Sequence, residues 1–139
     1  MNTSHTIDIE VASSDIDGLG HVNNGRYIAW CEQVAWLHSE KLGLGVADYQ
    51  RLDRAMAVYR SEYDYKLPAF DGEQLQATTW LSLAKGSRMQ RNFRIQRRND
   101  SALLLEAVWY LACIELGTGR PKRFPPEFVE VYVPAVVDM

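Results

Sequence analysis

Over residues 6–12 polar and apolar positions alternate, with Ile7, Ile9 and Val11 on one side and Asp8 and Glu10 on the other; that period predicts a half-buried strand. The period then lengthens. Tyr27, Trp30, Cys31, Val34 and Leu37 recur at three- and four-residue spacing, which predicts a long helix with one apolar face, ended by Gly43-Leu-Gly45. Residues 46–54 keep neither period and read as a short helical turn or a loop. From Ala55 the alternation returns. Ala57, Tyr59, Ser61, Tyr63 and Tyr65 share one strand face. Residues 74–83 turn Leu75, Ala77, Thr79, Leu81 and Leu83 one way, and residues 88–98 turn Met89, Phe93 and Ile95 inward. Pro68-Ala-Phe-Asp-Gly72, Lys85-Gly-Ser87 and Asn99-Asp-Ser101 supply the turns between them. Residues 102–115 are apolar on both faces, which predicts a central strand covered twice. The tail from Gly117 contains four prolines and reads as a loop with one short strand near Val129–Val133.

Short turns between consecutive strands require antiparallel pairing. The pattern is therefore α+β: one long apolar helix wrapped by a curved antiparallel sheet of about five strands. No internal repeat interrupts residues 1–139, so a single domain is expected. A sheet with one covered face leaves an exposed edge and an outer surface, which argues for a homo-oligomer.

Composition narrows the function. With 139 residues, 47% of them hydrophobic, the chain can build one real core. A formal net charge of −3 argues against a nucleic-acid binder. The two cysteines, Cys31 and Cys113, lie in apolar runs and read as buried reduced thiols, and no cluster has metal-ligand spacing. The chain has no apolar run long enough for a transmembrane helix, and its first residues lack the features of a signal peptide. A cytoplasmic protein with no cofactor is expected.

The candidate chemistry sits between the first strand and the helix, in Asp15-Ile-Asp-Gly-Leu-Gly-His-Val-Asn-Asn-Gly-Arg-Tyr27. Gly18 and Gly20 permit a tight loop, and Asn23 or Asn24 suits the helix N-cap. A carboxylate and an imidazole are thus held near a helix N-terminus, where free N–H groups and the dipole favour developing negative charge. That arrangement suits attack on a carbonyl.

Asp15-x-Asp17-x-x-Gly-His21-Val-Asn23-Asn24-x-x-Tyr27-x-x-Trp30-x-Glu32 resembles the signature of hotdog-fold acyl thioesterases, nearest to the 4-hydroxybenzoyl-CoA thioesterase type. His21-Val-Asn-Asn24 is also similar to the acyl-carrier-protein thioesterases. The resemblance implies a hotdog fold, a homodimer or homotetramer with shared sites, and hydrolysis of an acyl-CoA or aryl-CoA to the free acid and coenzyme A. It implies Asp17 as general base or nucleophile, against the alternative that Asp17 only completes an Asx-turn. It implies a backbone N–H at Asn24 that polarises the thioester carbonyl, with Asn23 and Tyr27 beside the substrate. His21 is either a second base or a structural loop residue. Asp15 reads as a loop stabiliser, and His5 and His38 as surface residues. Lys85, Ser87, Arg88 and Arg91 are the candidates for the coenzyme's phosphates, against a solvated basic face. The acyl-carrier-protein enzymes carry Asn at the position of Leu19, a departure here. A carrier-protein substrate, a 3-hydroxyacyl thioester dehydratase and a non-catalytic acyl-CoA sensor remain as alternatives.

Overall fold

The structure, a computed structural model, describes residues 3–137. Strand β1 (Ser4–Glu10) leads through a loop containing a 3-10 turn at Ser13–Asp15 into α1 (Asn24–Leu42). A short helix α2 (Val46–Leu52) resolves the aperiodic stretch after it. Strands β2 (Arg54–Tyr65), β3 (Gln74–Lys85), β4 (Arg88–Arg97) and β5 (Leu103–Glu115) follow, then α3 (Pro126–Tyr132). The five strands form one sheet in the order β1-β3-β4-β5-β2, with every pair antiparallel.

Helix α1 lies on the concave face of this sheet. Tyr27, Trp30, Cys31, Val34 and Ala35 of α1 are buried against Leu75, Ala77 and Leu81 of β3, Met89, Phe93 and Ile95 of β4, and Leu105, Trp109, Leu111 and Cys113 of β5. Each such large side chain contributes about 1.5–3 kcal/mol on burial. Both cysteines are buried free thiols.

Three register shifts interrupt the ladders, one of them between Ile95 and Gln96 where β4 meets β5, and those in β2 and β3 reset the alternation expected from the sequence. In β2 the register slips between Val58 and Arg60. Met56 and Val58 therefore pair with Cys113 and Leu111, and after the slip Ser61, Tyr63 and Tyr65 pair with Trp109, Ala107 and Leu105. Ala57 and Tyr59 belong to the opposite, outer face, where Tyr59 meets Tyr110. In β3 the slip lies between Leu81 and Leu83, so the buried Ala84 opposes Met89 and Leu83 is turned out, 37% exposed.

Three further expectations are corrected. The strand near Val129–Val133 is instead helix α3, opened by Pro126 and buried through Phe128 and Tyr132, four residues apart. Strand β5 is an inner strand, between β4 and β2, but it is not covered twice, because Glu106 is exposed and Val108 and Tyr110 are only half-buried on its outer face. Finally, His38 is fully buried, and half-buried His5 stacks over it with ring centroids 6.3 Å apart.

The sheet's two edges differ. Past the start of β1 the C-terminal tail continues the edge, Val136 bridging to Leu81. Twelve-residue β2 has no neighbour on its outer side among the described residues. Helix α3 is tied to the rest by a buried hydroxyl chain. Ser39 Oγ donates to the Leu44 carbonyl at 2.6 Å and so accepts from Tyr132 Oη at 2.7 Å, and Tyr49 donates to Tyr132 in turn.

Candidate active site

The loop from Val11 to Asn23 is folded by its own short polar side chains. Asp15 accepts from the Ala12 N–H at 2.9 Å and pairs with Arg26 Nε at 2.8 Å, while its carbonyl accepts the Asn23 N–H at 2.8 Å. It is the loop stabiliser the sequence suggested. The Asp17 N–H donates to the His21 carbonyl at 2.8 Å, and the Asp17 carbonyl accepts the Gly20 N–H at 3.2 Å. Gly20 sits at φ +82°, a conformation that a side chain would strain. Asp17 Oδ1 accepts the Leu19 N–H at 2.8 Å and the His21 N–H at 3.3 Å. The Asx-turn is therefore real, but it occupies one carboxylate oxygen; Oδ2 accepts no hydrogen bond among the described residues.

Asn23 is the N-cap of α1, its side chain accepting the Gly25 N–H at 2.8 Å. The Arg26 N–H bonds the Asn23 carbonyl at 2.9 Å. The Asn24 N–H, the first of the helix, has no acceptor among the described residues. Such a group adds its own polarity to the positive end of the helix dipole.

Two contacts seat the loop on the sheet. The Val22 N–H donates to the Ala69 carbonyl at 3.1 Å, and the Ala69 N–H donates to Tyr27 Oη at 3.1 Å. Burial raises the Tyr27 phenol above its ordinary value, so it stays protonated near neutrality. Together these elements enclose a shallow pocket of about 200 Å³ in which Asp17, His21, Asn24 and Tyr27 meet Tyr65, Lys66 and Pro68. Sequence reasoning missed the last three. Their only signal was position, at the end of a strand and beside a proline turn. The His21 ring lies edge-on to Phe70 at 5.4 Å, and only the His21 backbone bonds Asp17.

The four coenzyme candidates do not join this pocket within one chain. Lys85, Ser87 and Arg88 occupy the β3–β4 turn, where Lys85 pairs with Arg88. Asp17 shares its pocket with Tyr65, which is level with Leu105, Ile95 and Ala77 across the sheet, eight residues and so about 25 Å from Lys85 at ~3.3 Å per strand residue. Arg88 rests over the Tyr59 ring at 4.9 Å. Arg91 is not at the surface at all. Strand alternation places it between Met89 and Phe93 on the helix-facing side, 4% exposed. Its Nη1 donates to His38 Nδ1 at 2.9 Å and to Thr79 Oγ1 at 3.2 Å.

Arg91 lines a second pocket, of about 330 Å³, between α1 and the sheet, with Glu32, Trp36, Ser39, Tyr49, Met56, Met89 and Trp109 among its walls. Burial lowers Arg91 to about 10, partly opposed by the nearby Tyr132 and Tyr49 hydroxyls, so it is still a cation at neutral pH. A row of rings joins the two pockets: Tyr27 meets Tyr65 at 5.8 Å, Tyr65 meets Tyr63 at 6.3 Å, and Trp109 Nε1 donates to Tyr63 Oη at 2.7 Å. Among the described residues no group of three or more His, Cys, Asp or Glu side chains could hold a metal, and no helix is long and apolar enough to cross a membrane.

A curved antiparallel sheet around one long helix, with a polar loop feeding the helix N-terminus, is a hotdog fold. Residues 11–131 match the Thioesterase-like superfamily, and the chain belongs to that family of thioester hydrolases. It is 21% identical over 133 residues to the acyl-acyl carrier protein thioesterase ATL3, chloroplastic, of Arabidopsis thaliana, covering 96% of this chain and 70% of that protein. The fold superimposes on a DHNA-CoA thioesterase from Staphylococcus aureus with a TM-score of 0.85 at 24% identity, covering 94% of this chain and 89% of the other. It also superimposes on the 12:0-ACP thioesterase of Umbellularia californica with a TM-score of 0.90 at 14% identity, over 100% of this chain and 53% of that one.

Proposed function

We propose that this thioesterase is a cytoplasmic enzyme that hydrolyses acyl-CoA thioesters, with Asp17 as the catalytic carboxylate and the Asn24 N–H as the oxyanion donor. The observation that carries the reading is the division of labour at Asp17. Oδ1 is held by two backbone N–H groups, which fixes the side chain, and Oδ2 is left to act. In the base route Oδ2 removes a proton from water as the water oxygen bonds to the thioester carbon. The electron pair of the carbonyl moves onto its oxygen, which the Asn24 N–H and the helix dipole stabilise. Collapse re-forms the carbonyl, breaks the C–S bond and releases the coenzyme thiolate, which takes up the proton. In the nucleophile route Oδ2 itself bonds to the carbon, the C–S bond breaks and the coenzyme thiolate leaves, and water then cleaves the resulting anhydride, one of its protons going to the thiolate. His21 and Tyr27 shape the pocket on either side.

Self-association completes the site. Edge strand β2 is long and has no neighbour on its outer side among the described residues, and two copies joined antiparallel along it would set the Ala57 end of one chain beside the Tyr65 end of the other. That pairing carries the turn with Lys85, Ser87 and Arg88 toward the partner's Asp17 pocket, where its cations meet the coenzyme phosphates. A carrier-protein thioester is the second reading, favoured by the similarity to an acyl-acyl carrier protein thioesterase.

The test is thiol release from a panel of acyl-CoAs, aryl-CoAs and matched carrier-protein thioesters, with wild type and Asp17→Ala compared at equal oligomeric state. Turnover of the CoA esters that collapses in the variant supports the proposal. Equal turnover in both proteins removes Asp17 from the chemistry. Binding of CoA esters without turnover would make the chain a sensor, and turnover of carrier-protein esters alone would establish the second reading.

A further inference from the structure

Arg91 has no counter-charge among the described residues. A guanidinium presents five N–H donors, yet this one, 96% buried by its 4% exposure, makes no ion pair among the described residues. Its two hydrogen-bond partners, His38 Nδ1 and Thr79 Oγ1, both attach to Nη1. Because arginine only donates, His38 offers a lone pair at Nδ1 and is no source of negative charge. A buried cation in such surroundings is poised for an anion.

The space for that anion is the 330 Å³ pocket that Arg91 lines, with Ser39 and Tyr49 also at the polar end and Met56, Met89 and Trp109 on the sheet side. The volume is at the small end for ligand sites. Glu32 is the carboxylate of this pocket, but it is exposed and two turns before Ser39 on α1, about 10 Å at 1.5 Å per residue. The pocket therefore has an acidic rim, apolar walls and a cationic end, which is too small and too apolar for a nucleotide. In the β2-paired assembly Met56 and Val58 of one chain stand near the Tyr65 end of the other, beside its Asp17 pocket.

We propose that this pocket receives the acyl group and that Arg91 binds a carboxylate at its far end, so that short dicarboxylic acid monothioesters are the preferred substrates. The proposal rests on the thioesterase reading for its turnover consequence but not for its binding consequence.

Kinetics with glutaryl-CoA and pentanoyl-CoA, which have equal chain length, test the first. Wild type should favour glutaryl-CoA in kcat/KM by tenfold or more, and Arg91→Met should abolish or invert the preference, chiefly through KM. Calorimetry with free glutarate and pentanoate tests the second without any reaction: glutarate should bind the wild type, and Arg91→Met should lose it. Turnover of both esters with equal kcat/KM overturns the role of Arg91 and leaves the thioesterase reading standing. Charge-selective glutarate binding without turnover of any ester does the reverse. Should Arg91→Met fail to fold, the wild-type comparison decides alone, and equal binding of glutarate and pentanoate overturns the proposal.

Discussion

Replacing Asn24 with proline removes one atom group of interest, the N–H at the first position of α1, and little else. Proline is well accepted at that position, since its ring fixes a helical φ and its missing N–H has no intrahelical partner to lose. It constrains the residue before it to extended backbone, and Asn23 already sits at φ −60°, ψ 134°. The cap from Asn23 to the Gly25 N–H is untouched. A compatible proline stabilises by about 0.4–1 kcal/mol through the unfolded chain, so the melting temperature of Asn24→Pro should equal or slightly exceed that of wild type. If the Asn24 N–H holds the oxyanion, its loss should lower kcat by about 10²–10³, equivalent to about 2.7–4 kcal/mol, with a small change in KM. Asn24→Ala keeps the backbone donor and should stay within about threefold of wild type. The assay is steady-state thiol release alongside a thermal melt. A folded Asn24→Pro enzyme with wild-type kcat would refute the oxyanion assignment.

Two further outcomes follow from buried groups. Ser39→Ala breaks the hydroxyl chain from Leu44 to Tyr132, leaves a buried acceptor or donor unmatched, and should cost about 1–3 kcal/mol in denaturant unfolding; no loss would mean that water replaces the hydroxyl. Burial pushes the Cys31 thiol up to about 12 from an ordinary 9.0, so the folded state disfavours its thiolate. Because the folded value is the higher one, that stabilisation is complete below about pH 9 and is lost as pH rises toward 12. The melting temperature should fall across that range, and less steeply in Cys31→Ala. A thiol reagent at pH 8 should label Cys31 only after denaturation.

How far the sequence revealed these features depends on whether the signal was local. The helix and strands were legible because their apolar residues keep a period over many positions, and the Asp17 loop because its turn is made by adjacent residues. The bulges at Tyr59 and Ser82 were not legible: each depends on the strand opposite, and a one-residue slip reverses every face beyond it. The tail misled because Val129, Val131 and Val133 imitate strand alternation, whereas Phe128 and Tyr132 carried the helical spacing. His38 and Arg91 could have been placed in the core. His38 follows Cys31 by seven residues on the apolar stripe, and Arg91 falls between Met89 and Phe93 on the inward face, so period rather than charge marks their places. The second pocket arises where α1 crosses three strands, so no single stretch announces it.

Tyr27 and Ala69 are bonded across 42 residues of sequence. The Asp17 pocket therefore depends on the β2–β3 connection having come back to the start of α1, a closure whose entropic cost precedes any reward from packing. Helical signal can return early in refolding, since α1 forms from neighbours. Hydrolytic competence should return last, with the ordering of a loop whose walls are contributed from both sides of that span. Recovery of turnover after dilution from denaturant is thus a clock for the final long-range contacts of this chain, and mutations at Ala69 should slow that clock while leaving the early rise in helicity alone.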